Sequence, residues 1–278
     1  MSWIALSASA GPGRPRARTP RKHLVAIGGR CLDISLAPEP VFRLGGLVIT
    51  NTMFTSLLVV VLLSVVAIVY RAVASVDNPG RFQMLIEWVT GFVLSASEGA
   101  AGRRLGRRIF PLVATFFIFI LTANWLGNFP GFGSIKIVNF EGKSVPLLRS
   151  VNSDLNMTAA MALIAVVTVQ VLALAEHGLV GYLKELTTPW FLTPIHLISE
   201  ISHVVSLAGR LFGNIFGGEV LMIVMYSLVP YVVPAVFLGL EIFFGFIQAM
   251  IFTMLSIAYI AMAAGPTHGE QDLAVSAA

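Results

Sequence analysis

Arg210 stands in V-S-L-A-G-R-L-F-G-N-I-F-G-G-E, Val205 to Glu219, inside an apolar run that extends from Trp190 to Pro230. A cation at the bilayer centre costs about 2.5 to 3.5 kcal/mol on insertion scales, so such a residue faces a polar cavity, a partner charge or an ion path. An arginine near a helix end can instead reach up to the headgroups. Arg210 is too deep for that in a single crossing, with Pro189 21 residues before it and Pro230 20 residues after it. A guanidinium fixed at that depth attracts carboxylates in their ionised form and repels mobile cations. The chemistry it suggests is ion movement.

Helical phase sorts the other polar side chains around it. At about 100° per residue, His196, Glu200, His203, Arg210, Asn214 and Gly217 form one stripe, whereas Glu219, nine residues from Arg210, points about 180° away. In the following apolar run Glu241, Gln248 and Tyr259 fall within about 20° of one another and make one polar line. Polar groups recurring on one face of a membrane helix mark a wet path or a helix partner. His196, Glu200 and His203 also have a spacing found in carboxylate-bridged metal bundles, but those need a second copy of Glu-x-x-His on another helix, and the chain has none. Neither a metal nor another cofactor is expected.

Two long elements must position these residues. Residues 190–229 and 231–264 would measure roughly 60 and 51 Å as continuous helices at about 1.5 Å per residue. Neither fits upright in a hydrocarbon layer about 30 Å thick, so each is either broken or steeply tilted, by about 60° for the longer. No strong proline or polar break interrupts either arm, which favours a tilted hairpin turning at Val229-Pro230. Upstream, residues 46–72, 109–128 and 155–182 read as further crossings. Residues 81–108, introduced by the D-N-P-G turn and ending in Arg103, Arg104, Arg107 and Arg108, read as an amphipathic helix lying in the interface. A small hairpin is expected on either side of Glu141-Gly142.

Composition agrees with this class. Of 278 residues 56% are hydrophobic and 12% charged, and the mean hydropathy is +0.86, well outside the range of soluble domains. The fold expected is an all-α integral membrane protein of about five membrane helices plus one interfacial helix, in a single membrane domain over residues 46–264. Residues 1–45 form an N-terminal extension, expected to be largely disordered over 1–22, and 265–278 form a tail. The single cysteine, Cys31, allows no internal disulfide, and a net charge of +4 concentrated in the N-terminal tail and one loop does not suggest nucleic acid. Basic residues near the membrane ends place the N-terminus outside and, after an odd number of passes, the C-terminus in the cytoplasm.

The stretches L-A-G-R-L-F-G-N-I-F-G-G-E, Leu207 to Glu219, and I-Q-A-M-I-F-T-M-L-S-I-A-Y-I-A-M-A, Ile247 to Ala263, resemble subunit a of the F-type ATP synthases. P-G-R-F-Q at Pro79 to Gln83, N-S-D-L-N-M-T at Asn152 to Thr158 and K-E-L-T at Lys184 to Thr187 match as well. The resemblance implies a stationary membrane subunit beside a rotating ring of c subunits, with b-type peripheral stalk subunits, the F1 sector indirectly, and membrane lipid as its other partners. It also implies an energy-coupling membrane, the plasma membrane of a bacterium. No ATP chemistry is expected on this chain itself. The family's essential arginine maps onto Arg210, its asparagine onto Asn214, its glutamine onto Gln248, and its half-channel acid or imidazole pair onto Glu219 and Glu241. His196, Glu200, His203, Tyr259 and Asp154 are candidate lining residues of two offset aqueous half-channels that carry protons to and from the ring carboxylates. The alternative, a stand-alone ion-coupled transporter, would place its site between internal repeats, and the two halves of this chain show none. An intramembrane enzyme would need a nucleophile with its base, and no G-x-S-x-G is present.

Overall fold

The computed structural model describes residues 23–27, 30–34, 39–44, 47–75, 79–129, 132, 135–138, 144–187, 193–229 and 232–263. The expected disorder of residues 1–22 and the tail from 265 onward lie outside them. By its contacts the chain divides into Met1–Ala37 and Pro38–Ala278. The first unit contains an antiparallel hairpin, β1 (His23–Ile27) with β2 (Arg30–Ile34).

The second unit is built on five helices long and apolar enough to cross a membrane. A hairpin of β3 (Pro40–Leu44) and β4 (Leu47–Thr50) leads into α1 (Asn51–Val73). Thr50 caps α1, its Oγ1 accepting from the Met53 N–H, so a strand hands over to a helix at the first polar cluster of the apolar run. The sequence reading began the crossing at residue 46, but β4 occupies Leu47–Thr50.

The next element, α2 (Arg81–Gly127), is two helices joined at Gly102, where φ is 75° and ψ 163°. That conformation is open essentially to glycine alone. The turn folds the limbs onto each other: a Cβ at Gly106 would come within 2.6 Å of the Ser97 carbonyl oxygen, and Arg107 Nε donates to Glu98 Oε1 at 2.6 Å. The interfacial limb therefore ends before Gly102, not at Arg108, and the four arginines open the crossing limb. Phe82, Met84, Leu85, Trp88 and Phe92 of the first limb are exposed, as expected for a helix whose apolar face meets lipid.

After α2 the expected small hairpin is present as β5 (Lys136–Val138) paired with β6 (Ser144–Pro146). A 3-10 turn (Val151–Ser153) then leads to α3 (Leu155–Thr187), which breaks at Gly178 with φ 69° and ψ 166°. The two arms follow as α4 (Thr193–Leu228) and α5 (Val232–Ala263), each one uninterrupted helix.

The core lies among α2, α3, α4 and α5, where Ile109, Val113, Phe117, Ile120, Ala162, Leu207, Leu211, Phe252 and Ile257 are buried together. Edge-to-face pairs Phe116–Phe252 and Phe117–Phe246 join α2 to α5. Val59 of α1 enters a buried cluster with Ala123 and Val151, Leu63 packs partly against it, and most other leucines and valines of that helix face outward. With lipid as the solvent those exposed side chains are no liability, whereas an unsatisfied polar group would be.

Candidate functional site

Two contacts fix the register of the arms. His203 of α4 stacks on Tyr259 of α5, with ring centroids 4.2 Å apart and 13° between planes. Farther along, Gly218 of α4 abuts Glu241 of α5 so closely that a Cβ there would lie 2.5 Å from Glu241 Oε1. As one partner rises in number the other falls, so α4 and α5 run antiparallel.

Arg210 lies between these two contacts on α4. Seven residues separate it from His203 and nine from Glu219, about 10 and 14 Å along a helix axis. It is exposed and makes no hydrogen bond or ion pair with the described residues. Around it the surface is bare: nothing lies within 4 Å of a Cβ built at Gly209, Gly213 or Gly217. Ser206, Gly213 and Gly217 are exposed on the same side, and Asn214 is half-buried. Glycines i, i+4 and i+8 leave a shallow trough beside the guanidinium, the surface that lets another helix come close.

Glu219, as its helical phase requires, looks the other way. Its Oε1 lies 3.4 Å from Arg149 Nε and its Oε2 3.5 Å from Arg149 Nη2. Glu219 and Glu241 are near enough to interact through their charges. Two acids and a guanidinium thus gather at the end of the hairpin nearer its turn. At the other end Glu200 Oε2 lies 4.0 Å from His203 Nδ1, beneath Tyr259. The His196 side chain lies outside the described residues.

A family model described as ATP synthase A chain matches residues 52–261. The chain belongs to that family. ATP synthase subunit a of Mycobacterium bovis is 34% identical over 228 residues, 79% of this chain and 89% of its own length. The subunit a of Moorella thermoacetica is 33% identical over 226 residues, covering 81% and 95%, and that of Desulforamulus reducens 31% over 267 residues, covering 92% and 96%. The chain is thus a multi-pass membrane component of an F-type ATP synthase, and its helices belong to the ion-transporting, ATP-synthesising machinery.

For a member of the ATP synthase A chain family, the polar groups that hold the acid cluster in place matter as much as the acids. Asn152 Nδ2 donates to Asn124 Oδ1 at 2.6 Å, and Asn124 Nδ2 donates to the Gly245 carbonyl at 3.0 Å. Trp125 Nε1 donates to the Ile242 carbonyl at 3.2 Å. The end of α2 is thereby pinned to the α5 segment carrying Glu241 and Gln248, with the Asn124 amide buried so that a lost partner there is costly. Gln248 is buried, 5% exposed, with Thr253 and Ser256 buried farther along α5.

Asp154, a candidate lining residue, holds two helix ends together. It is 4% exposed, its Oδ1 accepts the Asn156 N–H at the start of α3 and its Oδ2 accepts from Thr52 Oγ1 of α1 at 2.7 Å. It caps one helix and ties down another. Arg149, Asn124, Asn152 and Trp125 were not singled out from the sequence as site residues. The signal available for three of them was polarity at the ends of apolar runs, which reads as a helix exit. Arg149 gave less, because basic loop residues are common and only packing shows that this one is buried.

Proposed function

We propose that this chain is the stator that passes protons to and from the carboxylates of a rotating c ring, with Arg210 dividing two aqueous half-channels. The observation carrying this reading is the position of Arg210, alone on an open, glycine-lined face of α4, with an acid cluster on one side and the Glu200–His203–Tyr259 group on the other.

The steps follow from charge. A ring carboxylate arriving from lipid must be neutral, since a bare charge there is costly. Opposite Arg210 the ionised form is favoured, and the proton leaves through one path. Past Arg210 the carboxylate takes a proton from the other path, along Glu219, Glu241 and Gln248, and returns to lipid. A guanidinium between the paths also repels a proton trying to pass straight across, by about 4 kcal/mol at 4 Å for an effective dielectric constant of 20. Without that barrier, each proton would dissipate about 2.3 kcal/mol per 100 mV without turning the ring. On the count of basic residues the start of α1 faces outside, and in this reading the acid cluster lies at that face, since α3 also begins and α2 ends near it.

Cross-linking tests the docking face. With Cys31 replaced by serine, single cysteines at Ser206 and Gly213 should form disulfides with cysteines on the ring's outer helices in the assembled complex. A cysteine at Leu57, on the outer face of α1, should form none. Ring cross-links from Leu57 and none from the α4 positions would reject this orientation.

A further inference from the structure

Arg149 is only 8% exposed, and a buried guanidinium needs a compensating charge. Its hydrogen bonds begin at the backbone, where its N–H donates to Thr55 Oγ1 of α1 at 3.3 Å, while its Nε reaches Ser153 Oγ at 3.2 Å in the 3-10 turn. Among the described residues, two carboxylates lie close in sequence or space to it, Asp154 and Glu219. Asp154 has both oxygens engaged, by Thr52 and by the Asn156 N–H. Glu219 Oε2 accepts from Arg149 Nη2 at 3.5 Å, and its Oε1 lies 3.4 Å from Nε, so one hydrogen bond and one close charge contact join the pair.

We propose that Arg149 is the positioning residue of the acid cluster: a second guanidinium, on a loop and not on either long arm, that compensates the charge of Glu219 and holds it beside Glu241. It rests on the reading of Glu219 as a proton relay. The loop matters because its anchor is independent of the arms. Arg149 is braced against α1 and the 3-10 turn, so the position of Glu219 is referred to the outer helices even where α4 and α5 yield to a passing ring. The two arginines divide the work: Arg210 faces outward with no partner among the described residues, and Arg149 faces inward against Glu219.

A double-substitution cycle tests this in the complete ATP synthase reconstituted into vesicles, reading ATP-driven proton pumping per assembled complex. Arg149→Gln and Glu219→Gln should each slow pumping. The doubly substituted enzyme should be no slower than Glu219→Gln alone, a coupling of about tenfold. Arg149→Lys should recover a large part of the rate, since an ammonium still meets the carboxylate. Losses that multiply in the double variant, or a lysine variant as slow as the glutamine one, would overturn the proposal while leaving the relay intact. Undiminished pumping by Glu219→Gln would overturn the relay, and this proposal with it. If Arg149→Gln fails to assemble, the amount of subunit in the complex becomes the readout. Adding Glu219→Gln should then restore assembly by removing the unpaired acid, and continued failure would overturn the proposal.

Discussion

At the scale of single residues, the site consists of charges whose surroundings differ sharply. Arg210 has open space and glycines about it, whereas Glu219, half a turn away in phase, has a buried partner. That opposition was legible in the sequence, because nine residues at about 100° each put two side chains on opposite faces. The identity of the partner was not legible: Arg149 and Glu219 are 70 positions apart, and nothing local in the loop marks its arginine as buried. The bonds of Asp154 were not legible either: its partner Thr52 lies 102 positions away, and only its place before α3 could suggest the cap. Gly218 permits a prediction. Its missing Cβ is the space that Glu241 Oε1 occupies, so Gly218→Ala should displace that carboxylate, lowering proton pumping by about tenfold or more while the complex still assembles. Pumping at the wild-type rate would separate Glu241 from the path.

At the scale of elements, the lengths of α4 and α5 were evident from unbroken hydropathy, and both are single helices. The break in α2 was missed for a physical reason. The periodic apolar pattern before Gly102 and the arginines after it look continuous in sequence, and one glycine among several does not announce a positive φ. The closure is set by contacts between limbs: Gly106 against the Ser97 carbonyl and Arg107 on Glu98. Gly102→Ala should therefore cost about 1 to 3 kcal/mol by forcing a side chain into glycine's backbone region, seen as a lower Tm and reduced assembly in detergent. An unchanged Tm would mean that the limbs, not the glycine, enforce the turn.

At the scale of the whole molecule, the beginnings of α1 and α3 and the end of α2 converge on one polar layer with interior stretches of α4 and α5, around Glu219 and Gly245. There Thr52 meets Asp154, Asn152 meets Asn124, Asn124 meets the Gly245 carbonyl and Arg149 meets Glu219. The opposite side carries the kink of α2 and the His203–Tyr259 stack. Five long apolar helices, with polar groups gathered at two levels along the α4–α5 pair and Arg210 exposed between them without a partner among the described residues, suit the proposed proton transfer through two offset half-channels. The central claim is that Arg210 both drives deprotonation of the ring and blocks direct flow. Arg210→Ala in reconstituted vesicles tests it through ATP-driven pumping by the whole complex and passive proton permeability of the membrane sector after removal of F1. Pumping should fall to background while passive permeability rises severalfold; wild-type pumping by that variant would contradict the account.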